Sequence, residues 1–116
     1  MDVPDRALVD RMSDLLAAGA VDLLAGMYAA DGKIVTYADV ASGRDEIRAS
    51  LYHSLAFHGR YEIASIDSFR NAGDLMMWDA SVKTATGILQ TTHVVVLDDD
   101  GLIRHHVPGV RGYWGM

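Results

Sequence analysis

The hydrophobic pattern of this 116-residue chain changes period once, near Gly59. On the N-terminal side apolar residues recur at helical spacing, and on the C-terminal side they alternate. Leu8, Met12, Leu15 and Leu16 follow i, i+4, i+7, i+8, which puts them on one helical face. Gly19 interrupts the pattern, and Val21, Leu24, Met27 and Tyr28 predict a second short helix. Asp31-Gly32 reads as a turn, and Lys33–Ala38 as a weakly alternating strand. Ser42-Gly43-Arg44-Asp45 resembles a capping box, in which the Ser42 hydroxyl and the Asp45 carboxylate satisfy free amides. A third helix follows, with Ile47, Leu51 and Leu55 four residues apart. Tyr61–Phe69, Leu75–Lys83, Ile88–Leu97 and Leu102–Val110 then read as four strands, separated by turns at 71–74, 84–87 and 98–101. Successive strands joined by short turns pair antiparallel. The expected class is α+β, with three N-terminal helices packed on one face of a curved, mainly antiparallel sheet.

Length and composition narrow the function. A chain of this size fits one domain spanning residues 1–116, and no linker or repeat divides it. Sixteen acidic against ten basic residues give a net charge of −6, which disfavours a nucleic-acid partner. No apolar run approaches the roughly 20 residues of a membrane helix. The acidic opening MDVPDRALVD lacks the basic and apolar segments of a secretory signal, so the expectation is a cytoplasmic protein without a membrane partner. Without cysteine there are no disulfides, thiolate nucleophiles or thiolate metal sites. No phosphate loop, nucleophile elbow or dinucleotide fingerprint is present.

The central strands suggest a register. If facing residue numbers sum to 172, Asp79 faces His93, Ser81 faces Thr91 and Met77 faces Val95, all on one face. Trp78, Met76 and Ala80 then meet Val94, Val96 and Thr92 on the other. Cross-strand neighbours about 5 Å apart let Asp79 hydrogen-bond His93, fixing its tautomer and raising its basicity. With the helices over the Asp79/His93 face, Met76, Trp78, Val94 and Val96 are left bare, which predicts a homodimer through that side of the sheet.

The order helix, helix, strand, helix, meander resembles the nuclear transport factor 2-like superfamily. The run Gly43-Arg44-Asp45-Glu46-Ile47-Arg48 opening the third helix and the Asp100-Gly101 turn carry the resemblance. It spans about Ala7 to Trp114. The superfamily includes SnoaL-like polyketide cyclases, ketosteroid isomerases, limonene epoxide hydrolases and scytalone dehydratases. The resemblance implies a cone-shaped fold enclosing an apolar pocket, a dimer through the outer sheet face and no cofactor. The implied substrate is a small apolar carbonyl compound such as a polyketide, terpenoid or steroid. Tyr37 falls where the isomerases carry a general-base Asp and scytalone dehydratase a catalytic Tyr. His93 falls where the isomerases place a protonated Asp. Asp79 lies close to a dehydratase His, and His106 lies on the pocket side of the last strand. Asp39, Leu51, His58, Met77, Ser81, Thr91, Val95 and Val110 are the implied substrate contacts. The departures are as informative. The isomerases' first-helix Tyr corresponds to Met12, the dehydratase Tyr-Asp pair corresponds to Ala17-Ala18, and no relative's full catalytic set is present.

Two functions therefore stand side by side. The first is an acid–base isomerase, dehydratase or cyclase using Asp79, His93, Tyr37 and His106. The second is a non-catalytic ligand-binding or dimerisation module on the same fold. His105 and His106 are adjacent on a strand and point to opposite faces, so they cannot share a metal. A zinc site from His93, His106 and Asp79 is geometrically conceivable, but the resemblance points to chemistry without metal. Asp98-Asp99-Asp100-Gly101 lacks the ligand spacing of a calcium loop and reads as a solvated hairpin turn. His53 and His58, near the end of the third helix, suit a capping role.

Overall fold

A computed structural model of the chain describes residues 6–58 and 62–115, without the side chains of Phe57, His58 and Ala64. Its elements run α1 (Arg6–Ala18), α2 (Val21–Ala25), β1 (Tyr28–Val35), β2 (Val40–Ser42), α3 (Arg44–His58), β3 (Glu62–Ala72), β4 (Leu75–Thr84), β5 (Gly87–Leu97) and β6 (Ile103–Gly115). The class is α+β. The strands form one sheet in the order β2-β1-β6-β5-β4-β3, antiparallel throughout except where β1 runs parallel to β6. The helices cover one face. Val9 and Met12 of α1, Leu24 of α2 and Ile47 of α3 share a core with Met76, Trp78, Val82, Val95 and Ile103 from the sheet.

Three local readings are corrected. Met27 and Tyr28 do not continue the second helix: α2 closes after Ala25, and Tyr28 opens β1 with its side chain in the core. Asp31-Gly32 is not a hairpin turn but lies inside β1, where the pairing with β6 shifts register. Such an irregularity brings backbones together: a Cβ on Gly32 would stand 2.8 Å from the Ile103 carbonyl oxygen, so only glycine fits without movement. At the start of α3 the acid that caps is Glu46 rather than Asp45. Its Oε1 accepts the Ser42 amide at 3.1 Å, while Asp45 pairs with Arg48. The helix turns in through Gly43 at φ +85°, a conformation suited to glycine.

The decisive correction is the β4–β5 register. The connecting loop has two residues, Ala85 and Thr86, so Thr84 pairs with Gly87 and facing numbers sum to 171 instead of 172. The Thr84 hydroxyl locks this closure by donating to the Gly87 carbonyl at 3.1 Å and accepting the Thr86 amide at 3.3 Å. Hairpin loop length sets strand register. Every facing pair therefore moves by one: Trp78 faces His93, Asp79 faces Thr92 and Met76 faces Val95. Met76 and Trp78 (3% exposed) lie on the helix-covered face and are not a bare dimer surface, whereas Val94 and Val96 do point outward, paired with Met77 and Leu75.

Candidate functional site

The inner face of β5 presents Leu89, Thr91, His93, Val95 and Leu97 in alternation, and β6 brings His106 beside them through the Val95–His106 pairing. Side chains two residues apart on a strand share a face, so the Thr91 hydroxyl reaches His93 Nε2 at 2.9 Å. The other ring nitrogen of His93, Nδ1, lies 2.9 Å from His106 Nε2. His106 Nδ1 in turn lies 2.7 Å from the hydroxyl of Tyr28. Thr91, His93, His106 and Tyr28 thus form one hydrogen-bonded chain crossing three strands. The Trp78 indole stacks on His93, with ring centroids 4.9 Å apart and planes inclined by 15°. Arg44 ties the base of the chain to α3 by donating from Nε to the Tyr28 carbonyl at 2.9 Å.

The surroundings are apolar, and the ionisable groups respond accordingly. Burial holds the His93 imidazole well below its usual value, at about 4, against the nearby Asp79 carboxylate, which favours the charged form. Burial lowers His106 further, to about 3, and the neighbouring His93 adds to the effect. Burial pushes the Tyr28 phenol up. At neutral pH all four members are therefore uncharged.

The expected Asp79–His93 hydrogen bond does not form, because the two side chains sit on opposite faces of the sheet. Asp79 instead accepts the Thr92 hydroxyl at 2.7 Å and stands 3.7 Å from Arg111 Nε. His106 takes the place of Asp79 as the partner of His93. Tyr37 is fully exposed in the β1–β2 connection and stands apart from the chain. The phenol that does meet a histidine is Tyr28, which helical spacing alone places on the second helix. The signal for it was the aromatic residue two positions after Gly26, opening a run that could pair as a strand.

The implied substrate contacts scatter in the same way. Thr91 and Val95 lie on the inner face, and Leu51 packs against the core from α3. Met77 and Ser81 point outward, where Ser81 donates to Asp67 at 3.4 Å. Val110 pairs with Thr91 in the backbone but is 66% exposed. The His58 side chain lies outside the described residues. Asp39 caps the Val40 amide at 2.7 Å and, with Glu46 and His53, lines a cavity of about 340 Å3 between the β1–β2 connection and α3. A second cavity of about 390 Å3 lies among Leu8, Arg11, Asp22, Met27 and Leu102. Neither is lined by Thr91, His93 or His106. Among the described residues no three His, Asp or Glu side chains come together as a metal site.

Solved structures share this architecture. A candidate polyketide cyclase from Sinorhizobium meliloti superposes with a TM-score of 0.78 at 18% identity, over 94% of this chain and 97% of its own. A hypothetical protein from Catenulispora acidiphila, described as having a ketosteroid isomerase-like fold and solved with trimethylamine, gives 0.78 at 16% identity, over 93% and 86% of the two chains. An NTF-2 like protein of unknown function from Burkholderia xenovorans gives 0.77 at 15% identity, over 96% and 85%. The fold is thus nuclear transport factor 2-like, as the resemblance implies. No family model matches the sequence, and no curated protein matches it.

Proposed function

We propose that the chain is a cofactor-independent acid–base enzyme of isomerase or lyase type, acting beside the carbonyl of a small apolar molecule. The observation that supports this is the continuous chain Thr91–His93–His106–Tyr28 in an apolar interior. A neutral imidazole both donates and accepts, so two in series can pass a proton by changing tautomer without a buried charge on either ring. Low polarity around them strengthens a hydrogen bond to an oxygen on which negative charge develops. The names of the fold neighbours, a candidate polyketide cyclase and a ketosteroid isomerase-like protein, fit this chemistry.

Proton removal beside a carbonyl is common to isomerisation, dehydration and aldol cyclisation. It can be read without knowing the product. The protein is incubated in D2O with a panel of cyclic mono- and diketones, and deuterium uptake at the α-carbon is followed by NMR. Catalysed exchange that falls at least about 100-fold in His93→Ala, with the fold intact, is the expected result. Exchange that His93→Ala leaves at the wild-type rate contradicts the assignment.

A second reading, a binding module without turnover, is favoured by one observation: both nitrogens of His93 are already engaged, and neither cavity reaches it. Ketones that bind near Thr91 without exchange would establish it. We further propose that the outer sheet face pairs two copies of the chain. Met77 and Val107 are exposed there, and Asp79 and Arg111 lie side by side. A two-fold axis passing between these two side chains would set each Asp79 opposite the other copy's Arg111.

A further inference from the structure

We infer that Tyr28 is a positioning residue that sets the tautomer of both histidines, so that the chain offers a hydrogen-bond donor, through Thr91, to its ligand. This deepens the reading above and rests on it for the identity of the ligand, though not for the tautomers.

The number of donors along the chain limits how its protons can be placed. Each neutral imidazole carries one N–H, and the chain has two hydroxyls, one at each end. Only two consistent arrangements exist. In the first, the Tyr28 O–H donates to His106 Nδ1, His106 Nε2–H donates to His93 Nδ1, and His93 Nε2–H donates to the Thr91 oxygen. In the second, every donor is reversed, starting from the Thr91 O–H. The arrangements differ in which hydroxyl proton loses its acceptor. In the second it is that of Tyr28, which is 1% exposed and whose hydroxyl has no partner but His106 among the described residues. In the first it is that of Thr91, 7% exposed at the other end. A buried donor without a partner bears its full desolvation cost, and the more deeply buried one bears more of it. Phenol is also the stronger donor of the two. The first arrangement therefore holds, and both histidines rest as Nε2–H tautomers.

The free end of the chain is then the Thr91 hydroxyl proton, and no formal charge lies along the chain at neutral pH. Such an end is matched by a neutral acceptor, a carbonyl or ether oxygen on an apolar body. An ammonium group, which only donates, leaves the Thr91 proton unpaired and brings a charge into an apolar site, with only the one Thr91 lone pair that His93 leaves free to meet it. When an acceptor engages Thr91, the rest of the chain is already pointed the right way and reinforces the donation.

Long-range 1H–15N spectra of the imidazole rings of the ligand-free protein read the tautomers directly. Both His93 and His106 should show a protonated Nε2 and a bare Nδ1. Thr91→Val should leave both rings in that state, because Tyr28 still directs them. Tyr28→Phe should lose it, giving a mixture or the Nδ1–H form. The opposite pattern, with tautomers lost in Thr91→Val and kept in Tyr28→Phe, overturns the inference, as does an Nδ1–H form in the wild type. If Tyr28→Phe does not fold, the wild-type and Thr91→Val spectra decide alone. Cyclohexanone should shift the Thr91 and His93 signals at least 10-fold more than cyclohexylammonium at equal concentration, and equal shifts overturn the ligand class. Correct tautomers in a protein that exchanges no deuterium would sustain this inference while removing the enzyme reading.

Discussion

On the β4–β5 hairpin, two polar cross-strand pairs sit one residue apart and live in different media. Trp78 and His93 face the helices, where the imidazole is stacked, hydrogen-bonded at both nitrogens and held neutral by burial. Asp79 and Thr92 face outward, where the carboxylate takes one hydroxyl and stands beside a half-exposed arginine. Similar hydrogen-bond lengths therefore carry different weight. Inside, removing a partner strands a desolvated group; outside, water replaces it.

The largest test of that contrast is steric. Trp78→Ala should destabilise the fold by about 3–5 kcal/mol in urea unfolding, because it opens a cavity and uncovers His93. Asp79→Ala, one residue along, should cost no more than about 1 kcal/mol. Comparable losses at the two positions would break the distinction between the faces.

Acidification is the next test. In the unfolded chain the imidazoles protonate near 6.5, while in the folded protein His93 stays neutral to about 4 and His106 to about 3. Between these values the unfolded state binds more protons, so stability is full above pH 6.5 and falls as the pH drops through the window. The contribution of His93 is roughly 3 kcal/mol at most. Urea midpoints measured from pH 7 to pH 4 should decline, and His93→Phe, a ring that can still stack on Trp78, should flatten part of the slope. A profile that His93→Phe leaves unchanged would place the acid sensitivity elsewhere.

Smaller effects sharpen the comparison. Thr91→Val removes one buried hydrogen bond and should cost about 1–2 kcal/mol. Val107→Asp on the outer face should leave monomer stability within about 0.5 kcal/mol but abolish any dimer seen by light scattering at several concentrations. A dimer that survives Val107→Asp would move the contact off this face.

The fold was largely legible because it depends on the switch of hydrophobic period and on turns that glycines mark, such as Gly73 and Gly101, both at positive φ. The site was less so. His93 and His106 both fall on the inner face, but the partner assigned to His93 depended on a single residue of loop length. Thr84 closing on Gly87 moved Asp79 to the opposite side of the sheet. Tyr28 was hidden for a different reason: four apolar positions at helical spacing continued the helix pattern past Ala25, and only pairing with β6, 75 positions away at Ile103, turns the chain into a strand there. Local spacing carries no information about such a contact. The β1–β6 pairing also explains why Asp31-Gly32 is a strand irregularity, while Tyr37 lies in solvent in the connection that the Val35–Val40 pair closes between β1 and β2.

Two imidazoles held uncharged between the sheet and the helices define the site. An NMR titration of the histidine side chains in the folded protein tests this most directly. His93 and His106 should keep neutral ring signals from pH 7 down to about 4, without a protonation step near 6.5. Either ring titrating near 6.5 in the folded state would contradict the buried chain, and with it the site built from Thr91, His93, His106 and Tyr28.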